Sequence, residues 1–154
     1  MCEKKDKIKV LFICTGNSCR SQMAEGWARH LKGDTIDAYS AGLLPGSVNP
    51  RAIKVMKEVG VDLSKQRSKH IDELAGINFD YVVTVCDYAK QQCPTFGGQV
   101  RVIHKNIEDP SFLEGTEEEI MAAFRKTRDE IKEFIIDLIN TLNLPDKPEG
   151  DKEE

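Results

Sequence analysis

KIKVLFICTGNSCRSQMAEGWARHLK, running from Lys7 to Lys32, decides the architecture. Its opening, Lys7–Ile13, is β-rich and almost continuously apolar, the pattern of a central strand covered on both faces. Met23, Ala24, Trp27, Ala28 and Leu31 then recur at helical spacing. Between them lies a short turn-rich loop. A buried strand is therefore predicted to feed directly into a helix N-terminus.

Strands and helices continue to alternate downstream. Thr35–Gly42 reads as a second strand ended by Gly42. Asn49 and Pro50 read as the N-cap and first position of a helix reaching about Val59, with Gly60 as its stop. Tyr81–Cys86 and Val100–His104 read as the third and fourth strands. A long amphipathic helix closes the chain from Thr116 to Leu142. Thr116 and Glu119 have capping-box spacing there, and Ile120, Phe124, Ile131, Ile135, Leu138 and Leu142 form its inward stripe. The predicted fold is α/β, three-layer α/β/α, with a central four-stranded parallel sheet. Ligands of such sheets bind beyond the carboxyl ends of the strands. Cys14 follows strand one and Cys86 follows strand three, so both fall on that edge.

The bulk properties narrow the function. A chain of 154 residues predicts one domain, residues 1–144, followed by a charged, Pro-bearing tail, 145–154, read as disordered. A formal charge of −4 argues against nucleic acid, and it requires any anion site to be built locally. No apolar run approaches the roughly 18 residues of a membrane span, and MCEKKDK at the start lacks the apolar core of a signal peptide. A reducing, cytoplasmic setting is expected. The five cysteines then point to thiols, metal ligands or redox groups rather than structural disulfides.

The loop after strand one carries the chemistry. Cys14 and Arg20 bracket Thr15, Gly16, Asn17, Ser18 and Cys19, with Ser21 next. Gly16 is expected to let the backbone turn, so that successive N–H groups form an anion nest at the helix N-terminus. Arg20 adds a planar fork for two oxygens of a tetrahedral oxyanion. The same field favours the thiolate of Cys14, giving a nucleophile and an anion hole in one segment. Asn17 is expected to hold the loop shape, and Ser21 to hydrogen-bond the Cys14 sulfur. A zinc site formed by Cys14, Cys19, Cys86 and Cys93 has the right count. Its gaps of four and six residues suit a compact site poorly, where about two to four is usual, and no metal is expected.

CTGNSCRSQMAEG resembles the phosphate-binding loop of the low-molecular-weight tyrosine phosphatase superfamily, and more closely that of its thioredoxin-linked arsenate reductases. YSAG, VNP, VVTVC, EDP and RDEI follow in order, so the likeness runs from about Lys7 to the end of the last helix. The resemblance implies a nucleophilic Cys14, oxyanion binding by Arg20 and the loop, and Asp109 of EDP as general acid. A phosphatase of this kind needs only those three residues and is the alternative reading, with weak phosphatase activity a plausible side reaction. A non-catalytic oxyanion or metal-binding protein is a further alternative.

CDYAKQQC separates the readings. Its Cys86 and Cys93 resemble the extra thiols of the reductases. What the resemblance implies is a relay. Cys14 attacks arsenate, Cys86 takes over Cys14, and Cys93 then forms a disulfide with Cys86 that reduced thioredoxin opens. Cys19 has no part in that relay. Seven residues of helix rise about 10.5 Å, whereas a disulfide tolerates Cα separations up to about 7 Å. A helical Cys86–Cys93 segment would thus have to unwind to close, eased by Gly97 and Gly98. Phosphate or sulfate should mimic arsenate. No nucleic acid or membrane is expected as partner, and a monomer is expected. Some such reductases bind potassium beside the loop. Asn17, Glu25 and Ser40 match three of its positions, but Lys69 stands where those members have an acidic residue. Lys69 is expected to replace the cation and pair with Glu25, so potassium is not expected. His30, His70 and His104 show no ligand spacing.

Overall fold

Val10, Leu11, Phe12 and Ile13 are consecutive and all fully buried, so the first strand is covered on both faces. That burial puts it in the middle of a sheet. The structure, a computed structural model, describes residues 7–86 and 100–142. Its strands are β1 (Ile8–Cys14), β2 (Ile36–Gly42), β3 (Tyr81–Thr84) and β4 (Arg101–His104). They form one parallel sheet in the order β2-β1-β3-β4. The register sets Cys14 beside Gly42 and Ile13 beside Thr84. The residues after Cys14, Gly42 and Thr84 therefore emerge together at the carboxyl edge.

The described helices are α1 (Arg20–Lys32), α2 (Pro50–Lys57) and α3 (Glu117–Leu142). Asn49 caps α2 as expected, its side chain accepting from Arg51 N at 2.8 Å. The helix ends at Lys57, two residues before the expected Val59. The chain then leaves through Gly60 at φ 82°, and Val61 N reaches back to Met56 O. The capping box of α3 is formed in both directions. Glu119 Oε1 accepts from Thr116 N at 2.9 Å, and Glu119 N donates to Thr116 Oγ1 at 3.1 Å. Such a cap is worth about 1 kcal/mol.

The inward stripe of α3 is wider than a single row. Phe124, Ile131, Ile135 and Leu138 are buried, but Ile120 and Leu142 are only partly so, and Met121, Thr127 and Arg128 are buried as well. The reason is that α3 packs against both α1 and α2. Trp27 Nε1 of α1 donates to Arg128 O, and Arg128 Nη1 donates to Val55 O of α2 and to Glu58. A long side chain with a hydrogen-bonded head serves there as packing.

All four strands differ from expectation at an end: β1 begins at Ile8 and takes in Cys14, and β2 begins at Ile36. β3 stops at Thr84, so Cys86 stands in the loop beyond it, and Val100 precedes β4. Cys93, the Cys86–Cys93 conformational change, Gly97, Gly98 and the 145–154 tail lie outside the described residues.

Candidate active site

The loop between β1 and α1 is fixed by its carbonyls. Thr15 O accepts from Leu43 N and Leu44 N at 3.0 and 2.8 Å, and Gly16 O accepts from Gly46 N at 3.2 Å. Gly16 O also accepts from Ser68 Oγ at 3.0 Å. Asn17 O accepts from Gln22 Nε2 at 3.1 Å. Ser18 O accepts from Asn49 N at 2.8 Å, and Cys19 O from Met23 N at 2.9 Å. In a trans peptide the carbonyl and the following N–H point in opposite directions. Tethering these five carbonyls to the surrounding scaffold turns the amides of Gly16, Asn17, Ser18, Cys19 and Arg20 the other way. None of those five N–H groups has an acceptor among the described residues. The N-terminus of α1 reinforces their partial positive charge.

Cys14 and Arg20 stand at the two ends of this loop. Cys14 is buried, with its sulfur 2.9 Å from Ser21 Oγ. Asn17 Nδ2 donates to that same hydroxyl at 2.8 Å, which leaves the Ser21 proton available to the sulfur. Arg20 Nη1 donates to Ile107 O at 2.9 Å, and Nη2 lies 3.3 Å from Asp109 Oδ2. Arg20 Nε is buried with no acceptor among the described residues. Asp109 caps the 3-10 turn Pro110–Phe112, its Oδ1 accepting from Ser111 N and Oγ at 2.9 and 2.7 Å. With Oδ1 engaged, Oδ2 is the oxygen that faces Arg20. Cys14, Thr15, Gly16, Ser18, Cys19, Arg20, Asp109, Ser111 and Phe112 enclose a cavity of about 280 Å³. Residues far apart in sequence thus line one chamber.

The two remaining described thiols differ in setting. Cys86 is buried, with its sulfur 3.3 Å from Thr15 Oγ1, one residue beyond Cys14. Cys19 is also buried, at the N-cap of α1. Burial and the negative charge of Asp109 push its thiol well above the ordinary range, against the pull of Arg20. Its setting therefore favours the protonated thiol. Among the described residues no His, Cys, Asp or Glu cluster suited to a metal ion is present.

Two expectations require correction. Gly16 is not the residue that turns the loop. The left-handed backbone belongs to Asn17, at φ 49°, and a Cβ on Gly16 would meet its nearest neighbours at an ordinary 3.8 Å. Asn17 bears that conformation because its side chain is bonded at both ends, Nδ2 to Ser21 and Oδ1 accepting from Lys69 N at 2.9 Å. The glycine that close packing against this loop requires is Gly42. A Cβ there would lie 2.8 Å from Thr15 O and 2.9 Å from the Asn17 backbone nitrogen.

The second correction concerns Lys69, which does not pair directly with Glu25. Glu25 is held by Arg29, one turn along α1, and by the Ser40 hydroxyl. Lys69 Nζ donates instead to Ser40 O at 2.9 Å and Arg67 O at 3.0 Å. An ammonium with three donors and no acceptor suits two carbonyls, and Glu25 acts on it only through space. A potassium ion drawn to these oxygens would meet that charge, so the residues present do not fit one.

Sequence reasoning passed over Gln22, Ser68 and Ser111. Each is a common polar residue in a helix or loop, and only the contacts distinguish it.

Residues 9–147 match the family of low molecular weight phosphotyrosine protein phosphatases. The chain is 50% identical over 129 residues to the arsenate reductase of Bacillus subtilis (strain 168), covering 81% of this chain and 93% of that one. It superimposes on a solved arsenate reductase in oxidized state with a TM-score of 0.75 at 34% identity, covering 87% of this chain and 98% of that one. The thioredoxin-dependent arsenate reductase of Corynebacterium glutamicum aligns with a TM-score of 0.66 at 26% identity, covering 89% of this chain and 62% of that one. The sheet and its helices make the three-layer α/β/α, phosphatase-like fold expected from the sequence.

Proposed function

The chain belongs to the low molecular weight phosphotyrosine protein phosphatase family, and from that premise we propose that it reduces arsenate to arsenite. The observation that carries the reading is Cys86. Phosphate ester hydrolysis needs no thiol just beyond β3, and here the buried Cys86 sulfur stands 3.3 Å from the hydroxyl of the residue that follows Cys14.

Arsenate enters the cavity between the loop amides and Arg20, whose buried Nε gains an acceptor. The Cys14 thiolate attacks arsenic, and one oxygen leaves as water with a proton from Asp109. The Cys86 thiolate then attacks the Cys14 sulfur. The electron pair of the breaking sulfur–arsenic bond stays on arsenic, which leaves as arsenite. Two electrons have passed from two thiolates, now a Cys14–Cys86 disulfide. Cys93 attacks Cys86, frees Cys14, and leaves a Cys86–Cys93 disulfide for the dithiol of reduced thioredoxin. The likeness to a thioredoxin-dependent relative supports that donor. No bound cofactor takes part, potassium is not required, and weak hydrolysis of aryl phosphates at Cys14 accompanies the reduction.

We further read the chain as a monomeric, single-domain cytoplasmic protein. Among the described residues no helix is long and apolar enough to cross a membrane.

The test is arsenate-dependent NADPH oxidation in the presence of thioredoxin and its reductase. Cys14→Ser, Cys86→Ser and Cys93→Ser should each abolish multiple turnover, while only Cys14→Ser abolishes aryl phosphate hydrolysis. Full arsenate turnover in Cys86→Ser and Cys93→Ser would reject the relay and leave a phosphatase.

A further inference from the structure

Four of the five loop carbonyls are held by backbone N–H groups, from Leu43 and Leu44, Gly46, Asn49 and Met23. The fifth, Asn17 O, has a side chain, Gln22 Nε2, as its one partner among the described residues. The direction of the Ser18 N–H, in the middle of the loop, therefore rests on a single amide side chain.

Gln22 is built for that duty. It is fully buried on the first turn of α1. Its Nε2 also donates to Arg67 O at 3.0 Å, and its Oε1 accepts from Gln66 Nε2 at 2.7 Å. Rotating the side chain away from Asn17 would break all three bonds of a side chain that is itself fully buried. Without the tether, a flip of the Asn17–Ser18 peptide would remove one donor from the cavity. It would also turn a carbonyl dipole toward the bound anion.

We propose that Gln22 is a positioning residue of the oxyanion cradle, latching the Asn17–Ser18 peptide with its N–H toward the substrate. This rests on reading the loop as the oxyanion site. The latch predicts that Gln22→Met, similar in volume but without a donor, weakens inorganic phosphate binding about tenfold. It should also lower the rate of Cys14 alkylation by anionic iodoacetate relative to neutral iodoacetamide. Gln66→Ala takes the donor from Gln22 Oε1 and the acceptor from Arg29 Nη1 but keeps the Gln22 bond to Asn17 O, and should leave both within about twofold of wild type. A loss of packing alone would affect the two alkylating agents equally.

A measurement on the unmodified chain guards against a variant that fails to fold. The Ser18 amide proton should shift downfield when phosphate is added. Wild-type phosphate binding without that shift overturns the latch and leaves the cradle standing, as does an unchanged affinity in Gln22→Met. Failure of the wild type to bind phosphate overturns both.

Discussion

A Cβ on Gly42 would stand 2.9 Å from the Cβ of Asn17 and 2.8 Å from Thr15 O, which are respectively a fully buried side chain and the first carbonyl of the loop. The end of β2 is thus pressed against the active loop with no room for a methyl group. Gly42→Ala is expected to cost about 1–3 kcal/mol of stability, read by urea denaturation. Because the atoms displaced belong to the loop itself, phosphate affinity should fall as well. A variant as stable and as tight-binding as wild type would show that the loop yields without cost.

What was legible before the structure follows from the range of the interactions. The strands, the Asn49 cap and the Thr116–Glu119 box depend on residues a few positions apart, and all are formed. The gathering of Cys14, Arg20 and Cys86 at one edge follows from strand order alone. Asp109 entered through its resemblance to a family motif. Gly42 and Ser68 act across about 25 and 52 residues, through Asn17 and Gly16, and Gln22, five residues from the Asn17 carbonyl it holds, is itself fixed by Arg67 about 45 residues on; no local pattern marks these contacts. Lys69 shows the same limit. Charge alone pairs it with Glu25, but Arg29 occupies the helical i,i+4 position.

Cys19 tests the electrostatics of the loop. Its thiol is pushed far above the ordinary value by burial first and by Asp109 second. A raised thiol stays neutral as pH climbs, so Cys19 should remain unlabelled by iodoacetamide through pH 9 in the native protein, and should label once the chain is unfolded in denaturant. Cys19→Ser is expected to retain arsenate turnover. Native labelling of Cys19 in step with Cys14, followed by mass spectrometry, would refute this assignment.

Ser111 holds Asp109, the proposed acid. Both of its donors engage Asp109 Oδ1, leaving Oδ2 toward Arg20 and the cavity. Ser111→Ala removes the hydroxyl and keeps the backbone N–H. It should lower kcat for an aryl phosphate by about threefold to tenfold with KM little changed. Asp109→Asn loses the proton donor itself and should lower kcat by about a hundredfold or more. Equal losses in the two variants would mean that Ser111 acts on more than the aim of Asp109.

Lys69 gives a prediction in both pH and salt. Burial lowers the proton affinity of its half-buried ammonium below the ordinary lysine value, with Glu25 pulling in the opposite direction. Between the folded and unfolded values the unfolded chain holds the proton that the folded chain has released. Stability relative to Lys69→Met should therefore rise with pH through the folded value and level off at the ordinary lysine value near 10.5. Because the ammonium already sits on Ser40 O and Arg67 O, replacing sodium with potassium should change the wild-type Tm by less than about 1 °C. Lys69→Asp places a carboxylate among those carbonyls and should make Tm rise with potassium over sodium. A potassium-dependent rise in the wild type, or none in Lys69→Asp, would show that Lys69 does not stand in for the cation.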